Sequence, residues 1–274
     1  MDSTRAALVT GTRRIGGAIA RALAADGHDV AVAYRESRGQ ADLAAEEVRA
    51  LGRRAVVLQA DLAEPAACRS LVDTAAEALG GLSAVVLAAS RFDRLAFDAL
   101  DAAAWDRAMA VDLDASFLCA QAAIPHLRRA GGGHIVLFSD WVAASGRPRY
   151  RGFLPYYVAK RSVIALGEAL ALELAADGIH VHVVAPGPIV PVAGSTPQDQ
   201  AAVLAATPLG RWGRGRNRAH RRRPRSLDLR DRGDRPRRRR PSPEVTSNKT
   251  WPSRRSVARL STFFAARSRY PLGP

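Results

Sequence analysis

Short apolar runs alternate with longer amphipathic segments through the first two thirds of the chain. Ala6-Ala7-Leu8-Val9 reads as a buried strand, and an Ala-rich helix follows from Ala18 to Ala25. Val30 to Tyr34 predicts a second strand, Arg38 to Leu51 an amphipathic helix, and Ala55 to Ala60 a third strand. Pro65 to Leu79 predicts a helix with proline in its first turn, and Ala84 to Ala88 a fourth strand. Two helices come next, one opening near Asp101 and one running from about Leu113 to Ala130. The strand His134 to Phe138, a long helix bearing Tyr156 and Lys160, and the strand His180 to Val184 complete the pattern. Strands made of unbroken Val, Ile, Leu and Ala are buried on both faces, which predicts a parallel sheet with helices on each side. The expected fold class is therefore α/β: a doubly wound parallel sheet in three layers, with ligands at the carboxyl ends of its strands.

Composition fits one enzyme-sized domain. A chain of 274 residues with 47% hydrophobic content supplies enough apolar surface for a large core. The first strand starts so early that no signal peptide is expected, and no apolar run reaches the ~18 residues of a membrane span, so a cytoplasmic location is expected. Cys68 and Cys119 are too few and too far apart for a disulfide framework or metal cluster and read as packing residues. The net charge of +15 is unevenly placed. Residues 1–210 hold 20 Lys/Arg against 22 Asp/Glu, a net of −2, whereas 211–274 hold 21 against 4, a net of +17. A polyanion-binding reading therefore cannot apply to residues 1–210, and nucleic acid is not the expected partner. A protein without turnover, binding a cofactor or using its basic tail on nucleic acid, stands as the alternative to an enzyme.

Candidate chemistry gathers at the strand ends. The first strand runs into Thr10-Gly11-Thr12-Arg13-Arg14-Ile15-Gly16-Gly17 and then a helix. Strand, glycine turn and helix N-terminus make a phosphate cradle: glycines let backbone approach a pyrophosphate, and free N–H groups with the helix dipole favour the anion. After the second strand comes Arg35, with no acid at Tyr34 or Arg35 to hold a ribose 2′-hydroxyl. An Arg there can pair with a 2′-phosphate, so NADP(H) is expected over NAD(H). Asp61-Leu62 after the third strand is placed either to meet the adenine or to cap the helix at Pro65. Tyr156 and Lys160 stand four apart and share a helix face. An ammonium beside a phenol favours phenolate and lets the hydroxyl exchange a proton with a substrate oxygen; a chance surface pair has the same spacing.

Over about residues 5–212 the chain resembles the short-chain dehydrogenase/reductase family. Thr10-Gly11 through Gly16 is similar to its cofactor loop, and Leu87-Ala88-Ala89-Ser90 stands where the family has Asn-Asn-Ala-Gly. Tyr156 and Lys160 match its catalytic pair, and Pro186-Gly187-Pro188-Ile189 its segment beside the nicotinamide. The resemblance implies a Rossmann fold binding NADP through Gly11, Arg14, Ile15, Gly16, Arg35, Asp61, Leu62, Ala88, Ala89, Pro186, Gly187 and Ile189. It implies that Tyr156 transfers the proton, that Lys160 holds the nicotinamide ribose and lowers the Tyr156 pKa, and that the substrate is a small carbonyl compound or imine. The cofactor loop is one residue shorter than usual, so Gly16 and Gly17 compete for one role. Ser139-Asp140 stands near the family's catalytic serine, with about three extra residues before Tyr156. With the Arg-Arg-Ile-Gly loop this is similar to the pteridine reductase branch, beside the 3-oxoacyl-acyl-carrier-protein reductases. Asp140 is the first candidate for proton delivery and Ser139 the second. Asp112 occupies the place of a structural Asn in the proton relay, and an ionised carboxylate accepts but does not donate.

The tail departs from this pattern. After Trp212 the family continues with a helix and a final strand, whereas here Arg214 to Arg218 and Arg237 to Arg240 lack apolar periodicity, the composition of a disordered segment. The expected division is a domain over 1–212 and an Arg-rich tail over 213–274, with the final strand missing and homo-oligomers formed only if the C-terminus is intact. A shifted reading frame in a GC-rich gene accounts for such a tail. Arg codons of the form CGN, read one base later, give Val, Ala, Asp or Gly, and the frame so restored is family-like.

Overall fold

The structure is a computed structural model, described here for residues 5–146, 151–191, 195–207 and 210–213, with Arg14 by its backbone alone. Six strands form one sheet: β1 (Ala6–Thr10), β2 (Asp29–Tyr34), β3 (Ala55–Gln59), β4 (Ala84–Leu87), β5 (Gly133–Phe138) and β6 (Ile179–Val184). All pairings are parallel and the order is β3-β2-β1-β4-β5-β6. The order reverses beside β1, so the crevice between the ends of β1 and β4 is the switch point at which such sheets take ligands.

Eight α-helices are present among the described residues, seven between strands and the last after β6: α1 (Gly17–Ala25), α2 (Arg38–Arg49), α3 (Pro65–Leu79), α4 (Ala102–Met109), α5 (Ala115–Arg129), α6 (Trp141–Ala144), α7 (Leu154–Leu174) and α8 (Pro197–Ala205). Alternate strand residues face opposite layers. Leu8, Val85, Ile135 and Leu137 pack with Val72 and Leu79 of α3, Leu127 of α5 and Val163 of α7 in one buried cluster. Val9, Val30 and Val32 point the other way, where α1 and α2 lie with Ile19, Leu23 and Val48 buried. Truncating any of these leucines to alanine would cost ~2–5 kcal/mol, because the cavity adds to the lost transfer energy. Gly167 lets α7 settle on β6, since a Cβ there would lie 2.2 Å from Val183 Cγ2.

Three local features differ from the periodicity. The two helices expected around Asp101 and Leu113 are one helical run, α4 and α5 joined by a π-helical turn over Ala110–Asp114. A second π-helical turn, Thr12–Gly16, replaces an open glycine loop before α1. The short helix α6 falls where no periodicity pointed to one. Cys68 and Cys119 are free, buried and packed between α3 and α5, and the hydrogen bond with Cys68 together with burial pushes the Cys119 thiol up. No described helix is long and apolar enough to cross a membrane. Residues Met1–Arg211 and Trp212–Pro274 separate as two units. The Arg-rich tail, and with it the reading-frame expectation, lies outside the described residues.

Candidate active site

The switch point is built by backbone closeness. Thr10 Oγ1 accepts from the N–H groups of Ala88 and Ala89, each at 3.1 Å, which ties the end of β1 to the loop after β4. Gly11 follows at φ +77°, and a Cβ on it would lie 2.6 Å from the Ala88 carbonyl oxygen. A Cβ on Gly16 would lie 2.4 Å from the Gly11 carbonyl oxygen, whereas one on Gly17 would meet only Ala44 Cβ at 3.6 Å. Of the two glycines, Gly16 is the one at which a Cβ would collide with backbone. Thr12 Oγ1 is buried with no hydrogen-bond partner among the described residues. An orphaned hydroxyl beside a side-chain-free cradle at a helix N-terminus fits the pyrophosphate of a dinucleotide. Ile15 lies within the same turn.

The outer part of the crevice is polar. Arg35 is paired with Glu36 at 2.8 Å, and its carbonyl accepts from Gln59 Nε2 at 3.2 Å. Asp61 Oδ1 accepts from the Ala63 N–H at 3.0 Å, while the residue capping α3 is Glu64. The helix-cap alternative for Asp61 is thereby corrected: the carboxylate closes a local turn and stays exposed. Leu62 is buried, and its carbonyl accepts from Cys68 Sγ at 3.4 Å. A pocket of about 320 Å³ beside Thr12 is lined by Arg13, Arg21, Gln40, Leu43 and Glu47. Arg21 lies 3.7 Å from Glu47. Arg13 was not singled out by sequence reasoning, since only its place in the fold separates it from Arg14.

At the ends of β5 and β6 the sequence candidates converge. Asp140 caps α6 through Val142 N–H at 2.7 Å, and its other oxygen accepts from the Tyr156 hydroxyl at 3.0 Å. Lys160 Nζ donates to the Phe138 carbonyl at 3.0 Å, lies 3.2 Å from Asp112 Oδ1 and stands 5.8 Å from the centre of the Tyr156 ring. Ser139 behaves differently. Its buried hydroxyl donates to the Lys160 carbonyl at 2.7 Å, so it secures α7 against β5. Asp112, on the π-helical turn, accepts from the Ser90 hydroxyl and from the Arg91 N–H at 3.3 Å. The loop after β6 is fastened here too, with the Pro186 carbonyl accepting from the Trp141 N–H at 3.2 Å; Gly187 and Ile189 follow, half-buried.

Sequence reasoning singled out neither phenylalanine of the aromatic wall beside Tyr156. Phe92 stacks on Phe153 with centroids 4.5 Å apart and meets Tyr156 edge-on at 4.8 Å. Both phenylalanines lie in loops without periodicity, and only the fold brings them together. Ser90 and Thr10 were quoted within motifs but given no contact.

Residues 9–220 match the family model described as Enoyl-(Acyl carrier protein) reductase. The 3-oxoacyl-(acyl-carrier-protein) reductase FabG of Staphylococcus aureus is 34% identical over 216 residues, covering 78% of this chain and 87% of the relative. A short chain dehydrogenase from Burkholderia cenocepacia J2315, solved in complex with NADP, superposes with a TM-score of 0.70 at 36% identity, over 77% of this chain and 85% of that one. A blue fluorescent protein from a metagenomic library, in complex with NADPH, gives 0.70 at 32% identity over 76% and 85%. With its parallel sheet, its switch-point cradle and these relatives, the chain belongs to the short-chain dehydrogenase/reductase family of oxidoreductases.

Proposed function

We propose that this chain is an NADPH-dependent reductase of a small carbonyl or imine compound, with Tyr156 as proton donor. The observation that carries this reading is the convergence of Tyr156, Asp140 and Lys160 at the carboxyl ends of β5 and β6, beside the cradle at β1. When bound, the cofactor supplies hydride from its nicotinamide ring. Gly11, Ile15, Gly16 and the Thr12 hydroxyl would hold its pyrophosphate, with Arg14 on the same turn. Ala88 and Ala89 would border it at the switch point, Asp61 and Leu62 would serve the adenine end, and Pro186, Gly187 and Ile189 the nicotinamide end.

Arg35 and Arg13 are the candidates for the 2′-phosphate. A guanidinium gives charge-assisted bonds to such a group, and Arg35 would exchange Glu36 for it. At the reacting end, Tyr156 passes its proton to the substrate oxygen or nitrogen as negative charge develops there. Asp140 accepts from the Tyr156 hydroxyl and thereby orients it, a role that Ser139 cannot share while its hydroxyl serves the Lys160 carbonyl. Lys160, held by Phe138 and Asp112, keeps its remaining donor capacity for the cofactor ribose.

The test is NADPH consumption by the full chain with a panel of ketones and a dihydropteridine. Tyr156→Phe keeps the ring and removes the transferable proton, so turnover should fall by ~10² or more with NADPH binding nearly intact. A mild loss in Tyr156→Phe beside a severe one in Tyr157→Phe would assign the proton to the wrong tyrosine.

A further inference from the structure

Lys160 is 2% exposed and Asp112 1%, and the two are 3.2 Å apart. The carboxylate is anchored further by the Ser90 hydroxyl and the Arg91 N–H, and the ammonium by the Phe138 carbonyl. This is a fixed, buried ion pair. It bears on Tyr156, because an ammonium 5.8 Å from the ring centre favours phenolate, and a carboxylate bonded to that same ammonium cancels much of its field. The Tyr156 hydroxyl also donates to Asp140 Oδ2 at 3.0 Å, and a carboxylate acceptor favours the protonated phenol.

Among the described residues, other charged side chains on the segments packed around Tyr156 include Arg91 and Asp93, bonded to each other at 2.6 Å, and Arg94, which lies against Gly152. Arg161 donates to the Ala143 carbonyl at 3.0 Å, and Arg151, Asp106 and Arg107 are exposed. Among the described residues, none of these side chains bonds to Asp112 or Lys160.

We propose that Asp112 is a positioning residue which, by neutralising Lys160, keeps Tyr156 protonated near neutral pH and so sets the site for reduction over alcohol oxidation. The inference rests on Tyr156 being the proton donor, as read above. In reduction, hydride bonds to the carbonyl carbon, the C=O π pair moves to oxygen, and the Tyr156 O–H breaks as its proton forms the new O–H. Solvent then returns a proton to the phenolate. Oxidation is the reverse and needs the phenolate at the start, to accept the alcohol proton as hydride leaves for the oxidised cofactor.

The experiment compares the full chain with Asp112→Asn, which keeps the shape and can still accept hydrogen bonds. Tyrosinate ultraviolet absorbance is followed against pH, with Tyr156→Phe subtracted to isolate one residue. Tyr156 should ionise about one pH unit lower in Asp112→Asn, and at saturating substrate and cofactor the kcat for oxidation should gain about tenfold on that for reduction at neutral pH. An unmoved ionisation and an unmoved ratio overturn this inference alone, whereas full turnover in Tyr156→Phe overturns the proposed function with it. The unaltered protein gives a second check that needs no variant to fold: a Tyr156 tyrosinate signal already present at neutral pH is incompatible with the proposal.

Discussion

At the scale of single residues, cofactor choice is the most exposed part of the proposed function. Arg35 sits at the end of β2 with its guanidinium 2.8 Å from Glu36, so a 2′-phosphate would replace one anion with another of higher charge. Arg35→Ala should weaken NADPH by ~1–3 kcal/mol and leave NADH almost unchanged. Titration of both cofactors against that variant and against Arg13→Ala will separate the two guanidinium groups. Equal losses for NADPH and NADH in both variants would mean that neither reads the phosphate. Glycines on the cradle are tested at the same scale. Gly16→Ala would drive a methyl to 2.4 Å from the Gly11 carbonyl oxygen and should disturb the turn and NADPH affinity together. Gly17→Ala adds a methyl at ordinary contact distance inside α1 and should be neutral or stabilise by roughly 0.5–1 kcal/mol. Thermal unfolding and NADPH titration read both variants, and the reverse ranking would show that the shorter loop shifts the close approach by one residue.

At the scale of elements, the site depends on how few connections bring distant segments together. The π-helical turn over Ala110–Asp114 places Asp112 beside Lys160 on α7, and wide turns of this kind recur at functional positions. Ser139 and the Pro186 carbonyl fasten α7 and the loop after β6 to the end of β5. The same pair of strands carries a histidine ladder at its other end. His134 Nδ1 and His182 Nε2 are 3.3 Å apart, and the His134 ring stacks on His180 at 5.4 Å and on His182 at 5.5 Å. Burial, reinforced by the neighbouring rings, holds His134 down to about 4, and burial with His180 lowers His182 as well.

At the scale of the whole molecule, that ladder gives the protein an acid-sensitive stability. Each depressed histidine binds its proton more readily in the unfolded chain, so folding stability is full above the unfolded value near pH ~6.5 and falls as pH drops below it. For His134 the fall continues to about 4. Denaturant unfolding across this window should show the loss, and His134→Asn should flatten it; an unchanged slope would assign the acid sensitivity elsewhere. The sequence alone determined the layered architecture, because unbroken Val, Ile and Ala runs can be satisfied only by a parallel sheet covered on both faces. It also determined that Gly11 follows the first strand and that Tyr156 and Lys160 share one face of a helix, since turn chemistry and helix period are local properties. The tertiary structure decided the rest. It put the close backbone approach at Gly16 rather than Gly17 and turned the Ser139 hydroxyl to a backbone carbonyl. It also removed Asp61 from the helix cap and set Asp112, Phe92 and Phe153 against the catalytic candidates. Those outcomes depend on distances between segments far apart in the chain, which no periodicity or spacing encodes, because only packing determines which side chains share a buried volume.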